Sequence, residues 1–300
     1  MTNPASSSSA QAVLITGGAG SVGRQLVEMF VEAGRAVRVF DLPMMDFTGL
    51  EGQEGIEIVK GDITDADGVR VAVEGVDAVL HLAAILPPNS ERDRDLTFRV
   101  NVDGTKNIIS ALEQSAPDTR MVFTSSISTY GDTSGEEPPV RVGHSQSAID
   151  IYADSKIEGE KLIFESSLTN TVSLRIAGIL VPAFLEPPTP WPFMEGQRVE
   201  MVHRDDVADA LFASASAPDA GGKIFNVAGG PTWQQHGRDY VKDFFEVMGA
   251  PVEMAVYRDT PGWMDWYDTE ESQRILGYQN RSYQHYIGEM QAIIQEMMEG

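Results

Sequence analysis

A phenol and an amine stand four positions apart in Tyr152-Ala-Asp-Ser-Lys156. On a helix that spacing puts both side chains on one face. A free phenol titrates at about 10 and a catalytic acid/base works best at about 7, a gap worth roughly 4 kcal/mol. One ammonium about 4 Å away, at an effective dielectric of about 20, supplies a similar amount. The spacing therefore predicts that Lys156 helps make Tyr152 a proton carrier near neutral pH. The same spacing arises by chance on surface helices, so its place in the chain matters. The segment Thr124-Ser-Ser-Ile-Ser-Thr-Tyr-Gly131 precedes it and leaves a strand end. A hydroxyl there can hold a substrate oxygen while Tyr152 moves its proton.

A second constellation is Thr16-Gly-Gly-Ala-Gly-Ser-Val-Gly23, with glycines at Gly17, Gly20 and Gly23. It lies between the β-branched run Val13 to Thr16 and a helical pattern from Val22 to Glu32. The first glycine allows a tight turn, the second lets the backbone approach a pyrophosphate, and the third lets the helix pack on the sheet. The helix start at Ser21 and Val22 then offers free N–H groups and a positive dipole end to phosphates. Asp41 ends the next strand, where a carboxylate accepts from both ribose hydroxyls and repels a 2′-phosphate. No Lys or Arg lies within Leu42 to Asp46, so the expected cofactor is NAD and not NADP. A plain turn role is the alternative for Asp41. Arg24 is placed to reach a phosphate from the helix start. Asp62, in Gly61-Asp62-Ile63, either meets the adenine or caps the segment after it. The positive ring of oxidised nicotinamide would add to the effect of Lys156 on Tyr152.

These residues need a scaffold, and the pattern supplies one. Strands are expected at Val13–Thr16, Val37–Phe40, Ile56–Val59, Ala78–Leu82, Met121–Thr124, Val172–Ile176 and Lys223–Val227. Helical spacing lies between them, notably at 93–114, 151–165 and 205–215. Such alternation implies a parallel sheet covered on both faces, a doubly wound α/β (Rossmann) fold. Its ligands sit at the carboxyl ends of the strands. Pro182, Pro187, Pro188, Pro190 and Pro192 then break the pattern. The expected organisation is a leader at 1–10 without order, a dinucleotide domain at 11–177 with a return segment near 201–227, and a smaller C-terminal substrate lobe from 178–200 and 228–300.

Composition narrows the chemistry. The 300 residues contain no cysteine, which excludes disulfides, thiolate nucleophiles and Cys-ligated zinc, and no metal site is expected. The formal net charge of −23 repels phosphate backbones and anionic lipid, so neither nucleic acid nor membrane is an expected partner. No apolar run approaches the roughly 18 residues of a membrane span. With no secretory signal at the N-terminus, the expected location is cytoplasmic.

As an ordered set, the motifs resemble the short-chain dehydrogenase/reductase superfamily, and within it the extended, NAD-dependent epimerase/dehydratase branch. The set is the glycine turn, Asp41, Gly61-Asp62, His81-Leu-Ala-Ala84, Asn101-Val-Asp-Gly-Thr105, Ser125-Ser126 before Tyr130-Gly131, Tyr152 with Lys156, Leu174-Arg175, and His203-Arg-Asp-Asp-Val-Ala208. The resemblance covers nearly the whole chain. It implies that Ser126 is the catalytic hydroxyl, Tyr152 the acid/base, and Lys156 also the holder of the nicotinamide ribose. It places Ile63, Leu82, Ala83, Ala84, Thr124 and Ile176 along the cofactor. By the same resemblance Asn101 is a packing residue, His81 a structural strand-end histidine, and Asp206 a helix-starting residue.

The implied reaction moves a hydride between NAD and a carbinol carbon, as an epimerase or a dehydrogenase. A dehydratase of this branch would carry an acidic pair after the catalytic hydroxyl, where Ile127-Ser128 stands. Nucleotide-sugar enzymes of the branch insert a long segment where Arg175 to His203 is short, so a small sugar or sugar acid fits better. Candidate substrate contacts are Pro87, Asn89, Ser128, Phe184, Trp191 and Arg198. A reductase of an apolar ketone is the alternative, suggested by Ile85, Leu86, Trp191 and Phe193. A non-catalytic dinucleotide sensor is the third reading. The helices near 93–114 and 151–165 resemble those that pair in the family's homodimers.

Overall fold

Val13 and Ile15 of the first strand bury into one apolar layer and Leu14 into another, as the two-residue period of a strand covered on both faces requires. The computed structural model describes residues 12–299 except Leu185. The 1–10 leader lies outside the described residues. The chain runs β1 (Ala12–Thr16), α1 (Ser21–Glu32), β2 (Val37–Asp41), β3 (Ile56–Lys60), α2 (Ala66–Ala72) and β4 (Val76–His81). It continues as α3 (Arg94–Phe98), α4 (Gly104–Ser115), β5 (Arg120–Ser126), α5 (Ile151–Glu165) and β6 (Thr171–Ile176). Then follow β7 (Gly178–Leu180), β8 (Arg198–Val199), β9 (Met201–His203), α6 (Arg204–Ser214) and β10 (Lys223–Val227). The last elements are β11 (Gln235–His236), α7 (Gly237–Val247), α8 (Glu270–Leu276) and α9 (Tyr283–Glu299).

Seven strands form one sheet in the order β3-β2-β1-β4-β5-β6-β10, and every pairing in it is parallel. This is a doubly wound α/β fold. The winding reverses between β1 and β4, which opens a crevice beyond their carboxyl ends. Helices α1 and α6 pack on one side of the sheet; α2 and α4 pack together on the other. A third apolar cluster draws only on residues of the C-terminal half, among them Trp191, Phe193, Trp233, Tyr240, Phe245 and Met290. The short pairs β7–β9 and β8–β11 attach there.

Two details depart from the sequence reading. The expected helix at 93–114 is two helices joined by a π-helical turn, Arg99–Asp103. The apolar spacing runs on through this turn, so periodicity does not reveal it. Helix α6 is capped by His203, whose ring Nδ1 accepts from the Asp205 N–H at 3.1 Å, not by Asp206. Asp206 is buried and accepts from Arg281 at 2.6 Å, which ties α6 to the segment before α9.

Candidate active site

The glycine turn is built for close approach. Gly17 has φ +71°, and a Cβ there would stand 2.9 Å from the Ala83 nitrogen. A Cβ on Gly23 would stand 2.5 Å from the Gly17 oxygen, so a side chain at either position collides with backbone. Helix α1 starts after Gly20 with no side-chain cap and no acidic residue in its first turn. The N–H groups of its first turn, at Ser21, Val22 and Gly23, thus lack a side-chain acceptor, the arrangement an anion satisfies. Asp41 accepts from the Ala19 N–H at 3.0 Å and the Leu42 N–H at 2.8 Å. It therefore braces the turn as well as facing the crevice, and a carboxylate has further lone pairs for two hydroxyls.

Arg24 is corrected. Its guanidinium donates to the carbonyls of Ala19, Asp46 and Thr48, so it is spent on the loop after β2 and not aimed at a phosphate. Asp62 caps no helix. It is exposed and accepts from the Thr64 N–H and hydroxyl at 2.9 and 2.8 Å, while Asp65 caps α2. The Ile63 side chain is buried against Gly104.

From the turn a chain of hydrogen bonds crosses to the candidate catalytic helix. The Ala83 N–H donates to Thr16 Oγ1 at 3.2 Å, and Thr16 Oγ1 meets His81 Nδ1 at 2.8 Å. His81 Nε2 meets Thr105 Oγ1 at 3.0 Å, and that hydroxyl donates to the Asn101 carbonyl at 2.6 Å. Because Thr105 spends its proton on a carbonyl, it must accept from His81. The imidazole therefore carries its proton on Nε2, and Thr16 donates to Nδ1. Burial, aided by the Lys156 charge, pushes His81 down to about 3, so it stays neutral. Asn101, inside the π-turn, brackets Ile85, accepting from its N–H at 2.7 Å and donating to its carbonyl at 3.1 Å. It also donates to Ser155 at 3.0 Å, and Ser155 donates to the Tyr152 carbonyl at 2.7 Å. The crevice loop Leu82–Ile85 and helix α5 are thus held by one buried network.

Helix α5 starts under two carboxylates. Asp150 accepts from the Ala153 N–H at 2.7 Å, and Glu91 accepts from Ile151 and Tyr152 N–H at 2.9 and 3.1 Å. Lys156 is 2 % exposed and donates to the Thr124 carbonyl at 2.8 Å. Its Nζ lies 5.6 Å from the centre of the Tyr152 ring, so phenol and amine share one face. Ser126 closes β5 opposite Ile176 of β6. Its hydroxyl oxygen accepts from the Ser128 N–H at 3.1 Å and the Ser128 hydroxyl at 2.9 Å.

The expected electrostatics need correcting. Burial first, and then the Asp150 carboxylate, push the Tyr152 phenol well above its ordinary value. Burial pushes Lys156 down to about 7, against the opposing pull of Glu160. Burial thus works against the amine's charge, and the protein's own charges do not make the phenol acidic.

Glu160 is the residue the sequence reading missed. It follows Lys156 by one more helical turn, so Tyr152, Lys156 and Glu160 line one face. It pairs with Arg175 at 2.6 Å, both side chains nearly inaccessible, and accepts from Ser125 at 2.5 Å. Arg175 donates to Tyr130 Oη at 2.8 Å, which donates to Asn226 at 2.6 Å. One buried array therefore joins α5, β5, β6 and β10 beside the amine.

The candidate substrate contacts scatter. Pro87 and Asn89 are exposed on the loop after β4. Ser128 is buried and bonded to Ser126. Phe184 is 46 % exposed, but Trp191 is 4 % exposed inside the aromatic cluster. Arg198 is corrected as a substrate contact: it pairs with buried Asp265 at 2.5 Å and also donates to the Glu136 carbonyl at 2.9 Å.

The model of the 3-beta hydroxysteroid dehydrogenase/isomerase family matches residues 14–185. A 3 beta-hydroxysteroid dehydrogenase/Delta 5→4-isomerase of Mycobacterium tuberculosis is 34 % identical over 180 residues, 56 % of this chain and 46 % of its own length. A D-erythronate dehydrogenase of Cupriavidus necator is 32 % identical over 177 residues, 55 % and 53 % of the two chains. The chain spans about half the length of the curated relatives it matches. Among solved structures, a short-chain dehydrogenase/reductase superfamily protein from Agrobacterium tumefaciens with bound NAD superposes with TM-score 0.76 at 24 % identity, covering 96 % and 98 % of the two chains. The Bordetella bronchiseptica enzyme WbmG in complex with NAD and UDP gives 0.78 at 21 %, covering 95 % of each. These structural likenesses carry the fold.

Proposed function

The chain belongs to the 3-beta hydroxysteroid dehydrogenase/isomerase family, and from that membership we propose that it is an NAD-dependent oxidoreductase interconverting a neutral secondary alcohol and its ketone. The observation that carries the reading is the Tyr152–Lys156 face, fastened by the Asn101–Ser155 link to the loop beside the glycine turn. Bound NAD would supply the hydride acceptor and, when oxidised, a positive charge. The N–H groups at Ser21, Val22 and Gly23 hold the pyrophosphate, and Asp41 takes the ribose hydroxyls. Leu82, Ala83, Ala84, Thr124 and Ile176 line the dinucleotide, and Lys156 holds the second ribose. Ser126 orients the substrate oxygen. Tyr152 takes the hydroxyl proton during oxidation and returns it during reduction.

A neutral substrate is favoured over a sugar acid because Arg198, the cation that would have met a carboxylate, is committed to Asp265. The similarity to D-erythronate dehydrogenase supports a small carbohydrate-like substrate as the second reading. The homodimer expected through α4 and α5 has an apolar anchor in Phe164, 89 % exposed at the end of α5; a monomeric mass by light scattering at micromolar concentration would contradict it.

The test is Tyr152→Phe, assayed with NAD and a panel of neutral alcohols. Removing the acid/base lowers kcat by roughly 10²–10⁴-fold, while NAD titrated by calorimetry binds as before. Undiminished turnover in this variant would refute the role given to Tyr152.

A further inference from the structure

We propose, on the reading that Asp41 takes the adenosine ribose hydroxyls of NAD, that Arg24 is the positioning residue for that contact: acting through Ala19, it sets the plane of the Asp41 carboxylate. Arg24 is the fourth residue of α1, and its guanidinium joins three carbonyls from two parts of the chain. Nε donates to Ala19 at 3.0 Å, one terminal nitrogen to Thr48 at 2.9 Å, and the other to Asp46. A planar fork of donors suits such a junction, whereas a lysine ammonium is a point charge that cannot span it. Ala19 is held from both sides. Its N–H donates to Asp41 Oδ2 at 3.0 Å, while its carbonyl receives the Arg24 Nε–H. It stands between Gly18 and Gly20, so its neighbours in the chain have no side chains to fix it.

The far side of the junction is anchored in the core. Phe47 lies between Asp46 and Thr48 and is buried, as is Leu50 just beyond. Both join the apolar layer that contains Val13, Ile15, Leu26 and Val27. The Thr48 N–H donates to Asp46 Oδ1 at 2.8 Å, which closes the loop around that anchor. The carbonyls that receive Arg24 are therefore fixed, and the guanidinium carries their position to Ala19. Ala19 in turn holds one oxygen of Asp41, and the Leu42 N–H holds the other at 2.8 Å. With both oxygens tied, a shift of the Ala19 N–H turns the carboxylate, and the lone pairs left for ribose turn with it. Two hydroxyls on adjacent carbons need one definite orientation of that group. Arg24 thus governs how well the 2′-hydroxyl is recognised, not how strongly phosphate is attracted.

The probes are NAD and its analogue built on 2′-deoxyadenosine, titrated calorimetrically into the full chain. A hydroxyl donating to a carboxylate predicts about tenfold tighter binding of NAD than of the analogue. Arg24→Met keeps the stem and removes the junction. It lowers that preference to about threefold or less, by weakening NAD while the analogue binds nearly as before. Arg24→Lys keeps the charge without the fork and has the same effect; it carries the test should Arg24→Met fail to fold. An arginine that served the pyrophosphate by charge would behave differently. Both ligands would weaken equally in Arg24→Met, recover in Arg24→Lys, and keep their ratio throughout. That result overturns the proposal, as does a preference unchanged in both variants. A preference missing from the unaltered protein overturns the Asp41 assignment and the role of Arg24 with it, whereas one that survives Arg24→Met removes the role of Arg24 alone. Every readout is binding, so none depends on Tyr152.

Discussion

The crevice end of the sheet and the aromatic cluster of the C-terminal half treat buried polar groups in opposite ways. At the crevice, Thr16, His81, Thr105, Asn101 and Ser155 each have a partner, and the direction of each bond follows from its neighbours. In the cluster, Trp191 Nε1 is buried without a partner among the described residues. Full satisfaction fixes a single geometry, which a site that aligns a base with a cofactor needs. An unpaired donor adds no such constraint, and there the packing of aromatic rings sets the geometry instead. The contrast separates an end fixed by hydrogen bonds from one fixed by packing.

The largest expected effect breaks the hydrogen-bonded end. Glu160→Gln strips the buried Arg175 guanidinium of its counter-charge, which costs about 3–5 kcal/mol. Urea denaturation should show the loss, and a cost below about 1 kcal/mol would mean the array is not what holds α5 to the sheet. A smaller effect tests the chain of bonds. Thr105→Val leaves the His81 Nε2–H without an acceptor, for about 1–3 kcal/mol, whereas Thr105→Ser keeps the hydroxyl and should be nearly neutral. Equal losses in both would assign Thr105 to packing alone. The smallest effect sharpens the electrostatics. Asp150→Asn keeps a side-chain oxygen for the Ala153 N–H but removes the charge that raises Tyr152. Oxidation needs the deprotonated phenol, so its rate rises with pH through the phenol's titration. Lowering that pKa moves the rise toward acid, read from kcat against pH. An unmoved profile would remove Asp150 from the account.

The same contrast explains what the sequence discloses. Gly17, Gly20 and Gly23, and the Tyr152–Lys156 spacing, are local patterns whose geometry follows from one turn or one helix, and the strand and helix alternation gives the sheet. Arg198 and Trp191 are opaque for the opposite reason. The partner of Arg198 is Asp265, 67 positions away, and the neighbours of Trp191 come from α7; no local pattern announces either meeting. Depth misleads as well. A spacing of four predicts help from the Lys156 ammonium, but it carries no information about the burial that lowers the amine's pKa and raises the phenol's.

The π-helical turn between α3 and α4 has one more consequence. Such a turn holds one residue beyond the α-helical count, and each residue advances a helix by roughly 100°. Deleting a single residue from Arg99–Asp103 would therefore rotate everything upstream by that angle relative to α4. Asn101 could no longer grip Ile85 and Ser155 together, so the angular offset of two short helices sets the alignment between crevice and base.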